Sequence, residues 1–190
     1  MKEQMLKGVG FEMLIGFVED ILEPGALDAL LEQVSPQARK FYKAGIVKNQ
    51  WYPLRFFDEL ELAIIKKYFN GDISHARHIG RYIMTKVRID VHRVAFLDMQ
   101  TPVDALRSLD RLWNLYNKPG RIVVEFEQVD PETGVGKSVV RITDIIFISD
   151  VHLEHVAGWA EALVLNLSSK DVRIAWKRQG KDVIFETEVG

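Results

Sequence analysis

The residue types and spacings in this chain that could do chemistry are two histidine pairs, a run of arginines and a carboxylate among apolar residues. His152 with His155, and His75 with His78, are H-x-x-H pairs, and on a helix this spacing sets two imidazoles on one face, as metal ligands require. Neither pair gains a third ligand: His152-Leu153-Glu154-His155 is neither H-E-x-x-H nor H-x-x-E-H, so the sequence predicts no metal site. His155 and Trp159 do lie side by side along a helical stripe, an amphipathic edge suited to lining a cavity. Between His75 and Arg93, Arg77, Arg81, Lys86, Arg88 and Arg93 stand against Asp90 alone. If one helix persists there, Arg77, Arg81 and Arg88 share a face that is a solvated surface, matches the acidic run Asp58-Glu59-Glu61, or meets an anionic ligand or partner. Asp144, among Val140, Ile142, Ile146 and Ile148, reads as a buried carboxylate of raised pKa, an arginine's partner or an exposed strand bend. Glu125 and Glu127 share one strand face without a spacing that makes them acid and base.

Two further motifs fail on context. Gly134-Val135-Gly136-Lys137-Ser138 has the ending of a phosphate-binding loop, but Pro131 stands where the first glycine belongs and a strand, not a helix, follows. Phe147-Ile148-Ser149-Asp150-Val151-His152 resembles the strand-then-D-x-H opening of calcineurin-like metallophosphoesterases. No G-N-H motif follows, and His155 is the last histidine; Asp150 as a helix cap explains the pattern.

The elements that must position these residues follow from periodicity. With 190 residues, 47% hydrophobic and 27% charged, the chain reads as one globular domain, 1–190, with a core large enough to need no disulfide. It has no Cys, which removes any thiolate metal site or thiol nucleophile. Twenty-five basic against 27 acidic residues, a net charge of -2, argue against nucleic acid as a partner. No apolar run spans a membrane and the start lacks a signal-peptide layout, so a cytoplasmic location is expected. Residues 1–119 read as mainly helical: 11–22, 26–34, a further turn at Ser35-Pro36, 53–69 stopping at Asn70-Gly71, a helix capped by Asp72 or Ser74, and one opened by Thr101-Pro102-Val103-Asp104. Residues 120–190 read as strand, strand, helix, strand, strand, with Asp150 capping the helix. The fold class is therefore α+β: N-terminal helices packed on a four-stranded antiparallel sheet made of two hairpins joined by a helix.

Local words in this layout resemble a known grouping. Val156-Ala157-Gly158-Trp159-Ala160-Glu161-Ala162-Leu163, followed by a terminal hairpin, resembles the close of four-vinyl-reductase-type ligand-binding domains. Arg77-His78-Ile79-Gly80-Arg81, with Tyr52-Pro53 upstream, is similar to a myxobacterial paralogous family of comparable length. Both group with the TRAPP vesicle-tethering subunits and the heme-nitric-oxide-binding domains. The resemblance implies an intracellular, dimer-forming sensory or scaffold domain with a hydrophobic cavity between helices and sheet. This chain departs from the heme relatives, which need a proximal histidine and a Tyr-x-Ser-x-Arg motif: Arg107-Ser108-Leu109-Asp110-Arg111 is not that motif, and no histidine lies between His92 and His152. No cofactor is therefore expected, with His92 the residue left as an axial ligand should heme be present.

The expected function is a non-enzymatic sensory or regulatory domain that binds a small, largely apolar ligand. Tyr82, His92, Phe96, Trp113, Phe126 and Trp159 are the expected lining, and Arg77, Arg81 and Arg88 an anion or partner surface. The alternative is a homodimeric scaffold like the tethering subunits, with no ligand and a protein partner. An enzyme, with Asp144 as its candidate acid or base, is the third reading.

Overall fold

A computed structural model of the chain describes residues 3–86, 99–130, 132–133, 135–167 and 171–190. Strand β1 (Met5–Lys7) leads directly into helix α1 (Gly8–Ile21), whose buried Phe11, Leu14, Phe17 and Val18 follow helical spacing. Helix α1 begins three residues before the expected Phe11, because Gly8 lets the chain turn against the loop above it. A Cβ there would lie 2.2 Å from the Val47 carbonyl oxygen, and the Gly8 N–H donates to Gln50 O at 2.8 Å. Helices α2 (Ala26–Leu31) and α3 (Pro36–Lys43) follow, and the Ser35 hydroxyl caps α3 by accepting from Ala38 N.

Strand β2 (Trp51–Pro53) opens into α4 (Leu54–Tyr68), which stops where expected: Asn70 and Gly71 both take positive φ, and Gly71 N donates back to Ile65 O. Helix α5 (Ala76–Lys86) buries Ile79 and Ile83. Helix α6 (Pro102–Tyr116) carries a reciprocal capping box, with Asp104 N donating to the Thr101 hydroxyl at 3.2 Å and Thr101 N to the Asp104 carboxylate at 3.0 Å.

Beyond β3 (Asn117–Lys118), β4 (Arg121–Val129) and β5 (Gly136–Thr143) form one hairpin. Helix α7 (Asp150–Leu165) then returns the chain to a second hairpin, β6 (Val172–Gln179) and β7 (Asp182–Val189). The cap of α7 is Ser149, which accepts from His152 N, and not the expected Asp150. The expected four-stranded antiparallel sheet is present in the order β4-β5-β7-β6, so that Val140 and Ile142 of β5 stand beside Phe185 and Val183 of β7 on the covered face.

Of the second sheet, ordered β2-β1-β3, in which Leu6 pairs with both Tyr52 and Asn117, the sequence marks the extended backbone before Pro53 but not the pairing. Strands of three and two residues are too short for alternation to register. Helix α7 is buried nearly all round, between α5 and the sheet. Glycines let it approach α5 closely: a Cβ on Gly80 would lie 2.1 Å from His155 O, and one on Gly158 2.1 Å from Arg77 O. The two sequence words that carry the resemblance, 77–81 and 156–163, thus pack against each other.

Candidate functional site

A cavity of about 110 Å³ lies between the helices and the covered face of the sheet. Leu109, Leu112 and Trp113 of α6, Trp159 of α7, and Val140 and Phe185 of the sheet give it apolar walls. Among its lining residues are two imidazoles, His152 and His155 of α7. Placed at i and i+3, they share a helical face as their spacing predicts, and their rings lie parallel with centroids 5.6 Å apart. Phe57 stands nearly perpendicular to both rings, at 5.5 and 5.2 Å between centroids.

What faces them is a matching pair of acids. Asp58 and Glu61 stand at i and i+3 on α4 and are buried, Glu61 wholly. His155 Nδ1 lies 2.6 Å from Glu61 Oε1, and His152 Nδ1 lies 3.5 Å from Asp58 Oδ1. The Ser149 hydroxyl donates to Asp58 Oδ2 at 2.6 Å, so the cap of α7 also ties it to α4. Asp58 Oδ1, Glu61 Oε2 and His152 Nδ1 are buried without a hydrogen-bond partner.

Burial sets the charge of the cluster. It pushes the Asp58 carboxyl up to about 8, against the Ser149 hydrogen bond and with help from the neighbouring Glu61 and Glu59 charges. It holds Glu61 well above the usual carboxylate range. His155 is pushed down to about 3 by the same cause, and His152 well below its ordinary value by burial and then by His155. The His155–Glu61 contact is therefore a hydrogen bond within an uncharged cluster, and not an ion pair, while His152 and Asp58 stand side by side without one. A neutral imidazole is also the form that ligates a metal. No group of three or more metal-ligating side chains occurs among the described residues.

The other expected site residues scatter. Trp113 and Trp159 line the cavity, whereas Tyr82 packs on Phe17 at 5.2 Å and donates its hydroxyl to Asp20. Phe126 is 41% exposed on β4, with the Arg107 guanidinium 5.9 Å from its ring. His92, Phe96 and Arg88 lie outside the described residues. Arg77 and Arg81 meet acids of α7 and not the run at 58–61. Arg77 pairs with Glu154, and its Nη1 donates to Glu161 at 2.7 Å and to Ile174 O at 2.9 Å; Arg81 donates to Glu161 at 2.9 and 2.5 Å. Asp144 is exposed at the end of β5 with φ 57°, the strand-bend alternative. His75 stacks on Phe69 at 4.6 Å, and His78 is exposed. Sequence reasoning passed over Asp58 and Glu61 because their run looks like a solvated acidic patch. The available signal was that Glu61 falls on the apolar stripe of α4, four residues from Phe57 and four from Ile65.

No protein-family model matches the chain, and no curated protein matches its sequence. Its fold is nevertheless similar to that of solved H-NOX proteins. The Fe(II) unliganded H-NOX protein from K. algicida superposes with a TM-score of 0.72 at 13% identity, over 97% of this chain and 96% of that one. An H-NOX protein from S. oneidensis in the Fe(II)NO ligation state gives 0.70 at 14%, over 97% and 99%. A structure concerned with heme redox potential and protein-induced porphyrin distortion gives 0.62 at 11%, over 96% and 98%. At these identities the likeness is one of fold, and it bears out the α+β class.

It also corrects the expectation of no cofactor. The absence of a Tyr-x-Ser-x-Arg motif and of a histidine between His92 and His152 argues only against one arrangement of heme ligands. The structures that share this fold include iron-containing and heme-bearing proteins, so heme is the group to test against the site. Its donor chemistry fits. Heme iron carries four ligands of its own and needs one protein side chain, and this cavity is apolar with imidazoles in its wall. The volume of about 110 Å³ is smaller than the roughly 300–1,000 Å³ of sites for drug-sized ligands.

Proposed function

We propose that this chain is a non-enzymatic sensory domain that takes an apolar prosthetic group, heme, in the cavity between its helices and its sheet. One observation carries the reading: in a fold shared with H-NOX proteins, an apolar cavity has a neutral imidazole in its wall, held from behind by a buried acid. Bound heme would supply an iron that takes up a small diatomic molecule. The chain's own residues do the rest. The apolar walls exclude water and orient a flat apolar body, and α7 positions the imidazoles. Binding acts as a signal only if it favours one helix arrangement over another, and α6 and α7, which both line the cavity and touch the sheet, are the elements it would bias. The scaffold alternative expects the same space to be filled by the chain's own side chains; the open cavity supports the ligand reading over it.

The test is titration of the purified full chain with hemin, followed by absorption in the Soret region and native mass spectrometry. The expected result is a saturable Soret band and one heme mass per chain, retained in the ferrous state. A spectrum that stays that of free hemin, with the chain bare in the mass spectrometer, would overturn the reading.

A further inference from the structure

We infer that the cavity, at the size the structure gives it, is a binding site for a small neutral apolar molecule, a hydrocarbon or apolar gas of at most about five non-hydrogen atoms. This goes beyond the proposed function: it needs neither heme nor any movement of the helices, and either can fail without the other.

Size sets the upper limit. Packed interiors leave few voids larger than a water molecule, and an apolar cavity of about 150 Å³ stays dry and takes up benzene or xenon. At about 110 Å³ this cavity is somewhat smaller than that benchmark and well above the space of one water, which suits a body of about four or five carbons.

Chemistry sets the class. No Asp, Glu, Lys or Arg is among the lining residues, and Asp58 and Glu61 touch the imidazoles without forming part of the wall. Burial holds both imidazoles in their neutral form. A charged ligand would be buried here without a counter-charge, so the site selects against one. The polar groups of the wall are few, and several are taken up elsewhere: His155 Nδ1 is engaged by Glu61 at 2.6 Å, His152 Nδ1 stands 3.5 Å from Asp58, and Trp113 Nε1 lies against Gly120, where a Cβ would be 2.6 Å away. What a ligand meets is mostly the carbon surface of Leu109, Leu112, Val140, Leu163 and Phe185.

The space is also left open where the chain could readily close it. Ala105 of α6 and Ala160 of α7 both line the cavity. Leucine is nearly as good a helix former as alanine, so helix propensity does not account for the small side chain at either position.

The experiment is carbon-13 methyl NMR of the purified full chain without added hemin, first under xenon pressure, then with cyclopentane, then with the larger methylcyclohexane. The wild-type chain is compared with Ala105→Leu and Ala160→Leu, with near-UV circular dichroism to show that each is folded. The expected result in the wild type is a saturable shift with xenon and with cyclopentane, confined to the cavity methyls of Leu109, Leu112, Val140 and Leu163, and none with methylcyclohexane. Whichever alanine variant folds loses the cyclopentane response, because its new side chain occupies the space. Shifts that are absent, that rise without saturating, or that spread over surface methyls overturn the inference, as does a cyclopentane response retained in both folded variants. If neither variant folds, the size ladder in the wild type decides: methylcyclohexane bound as tightly as cyclopentane overturns it. A chain that binds cyclopentane but takes up no hemin overturns the proposed function alone. A chain that takes up hemin but gives no saturable response to xenon or cyclopentane in its absence overturns this inference alone.

Discussion

Asp58 and His155 sit in one buried cluster, and burial drives both toward their uncharged forms, which moves their pKa values in opposite directions. The consequences for stability have opposite signs. Asp58, raised from 3.8 to about 8, contributes stability that is complete below the unfolded value and is lost as pH rises toward 8. His155, lowered from 6.5 to about 3, contributes stability that is complete above 6.5 and is lost as pH falls toward 3. Between about 4 and 6.5 the two slopes oppose each other. The expected outcome is a broad plateau of thermal stability in that window, with a fall on either side, measured by melting from pH 3 to 9. Asp58→Asn shallows the alkaline fall and His155→Gln the acid one. Of this cluster, the sequence disclosed the half that lies within four residues: H-x-x-H predicts two imidazoles on one face, and they are there. The carboxylates that face them are 94 residues away for Glu61 and His155, and no local pattern reports such a pairing.

At the scale of elements, the crossing of α5 and α7 has no room for a side chain at either of its glycines. Gly80 and Gly158 bring one helix backbone to within a side chain's thickness of the other, and the Arg77–Glu154–Glu161–Arg81 network closes over that crossing. Glycine inside a helix ordinarily costs about 0.5–1 kcal/mol relative to alanine, so Gly→Ala should stabilise an exposed helix. Here the sign reverses. Gly80→Ala and Gly158→Ala each force a Cβ onto a facing carbonyl, and each is expected to destabilise by roughly 1–3 kcal/mol in urea denaturation. Because the two substitutions push the same pair of helices apart, their effects in the double variant should fall short of the sum. Helix and strand types were legible from period alone, as α4, α6 and α7 illustrate. The cap of α7 was not, because Ser149 and Asp150 are both good caps and only the fold decides which hydroxyl or carboxylate meets the first turn.

At the scale of the whole molecule, the N-terminal segment joins parts that are far apart in sequence. The Gln4 side chain donates to Pro119 O at 2.6 Å and accepts from Ile146 N at 3.2 Å, and its main-chain oxygen accepts from Leu54 N. Gln4→Ala leaves two backbone groups without their partner, for an expected loss of about 1–3 kcal/mol in the same denaturation measurement. The sequence by itself determined the class of the fold, the order of its helices and of the four long strands, and the two hairpins, because hydrophobic period and turn residues act over a few positions and need no knowledge of distant neighbours. It also determined that no thiol chemistry is available, since the chain has no Cys. Only the tertiary structure decided that Arg77 and Arg81 are spent on α7, that Asp58 and Glu61 turn inward, and that His155 stands in a cavity wall with an acid behind it. The small sheet that ties Leu6 to Tyr52 and Asn117 belongs with these. Each is a meeting of groups tens of residues apart, and packing, not spacing along the chain, brings such groups together.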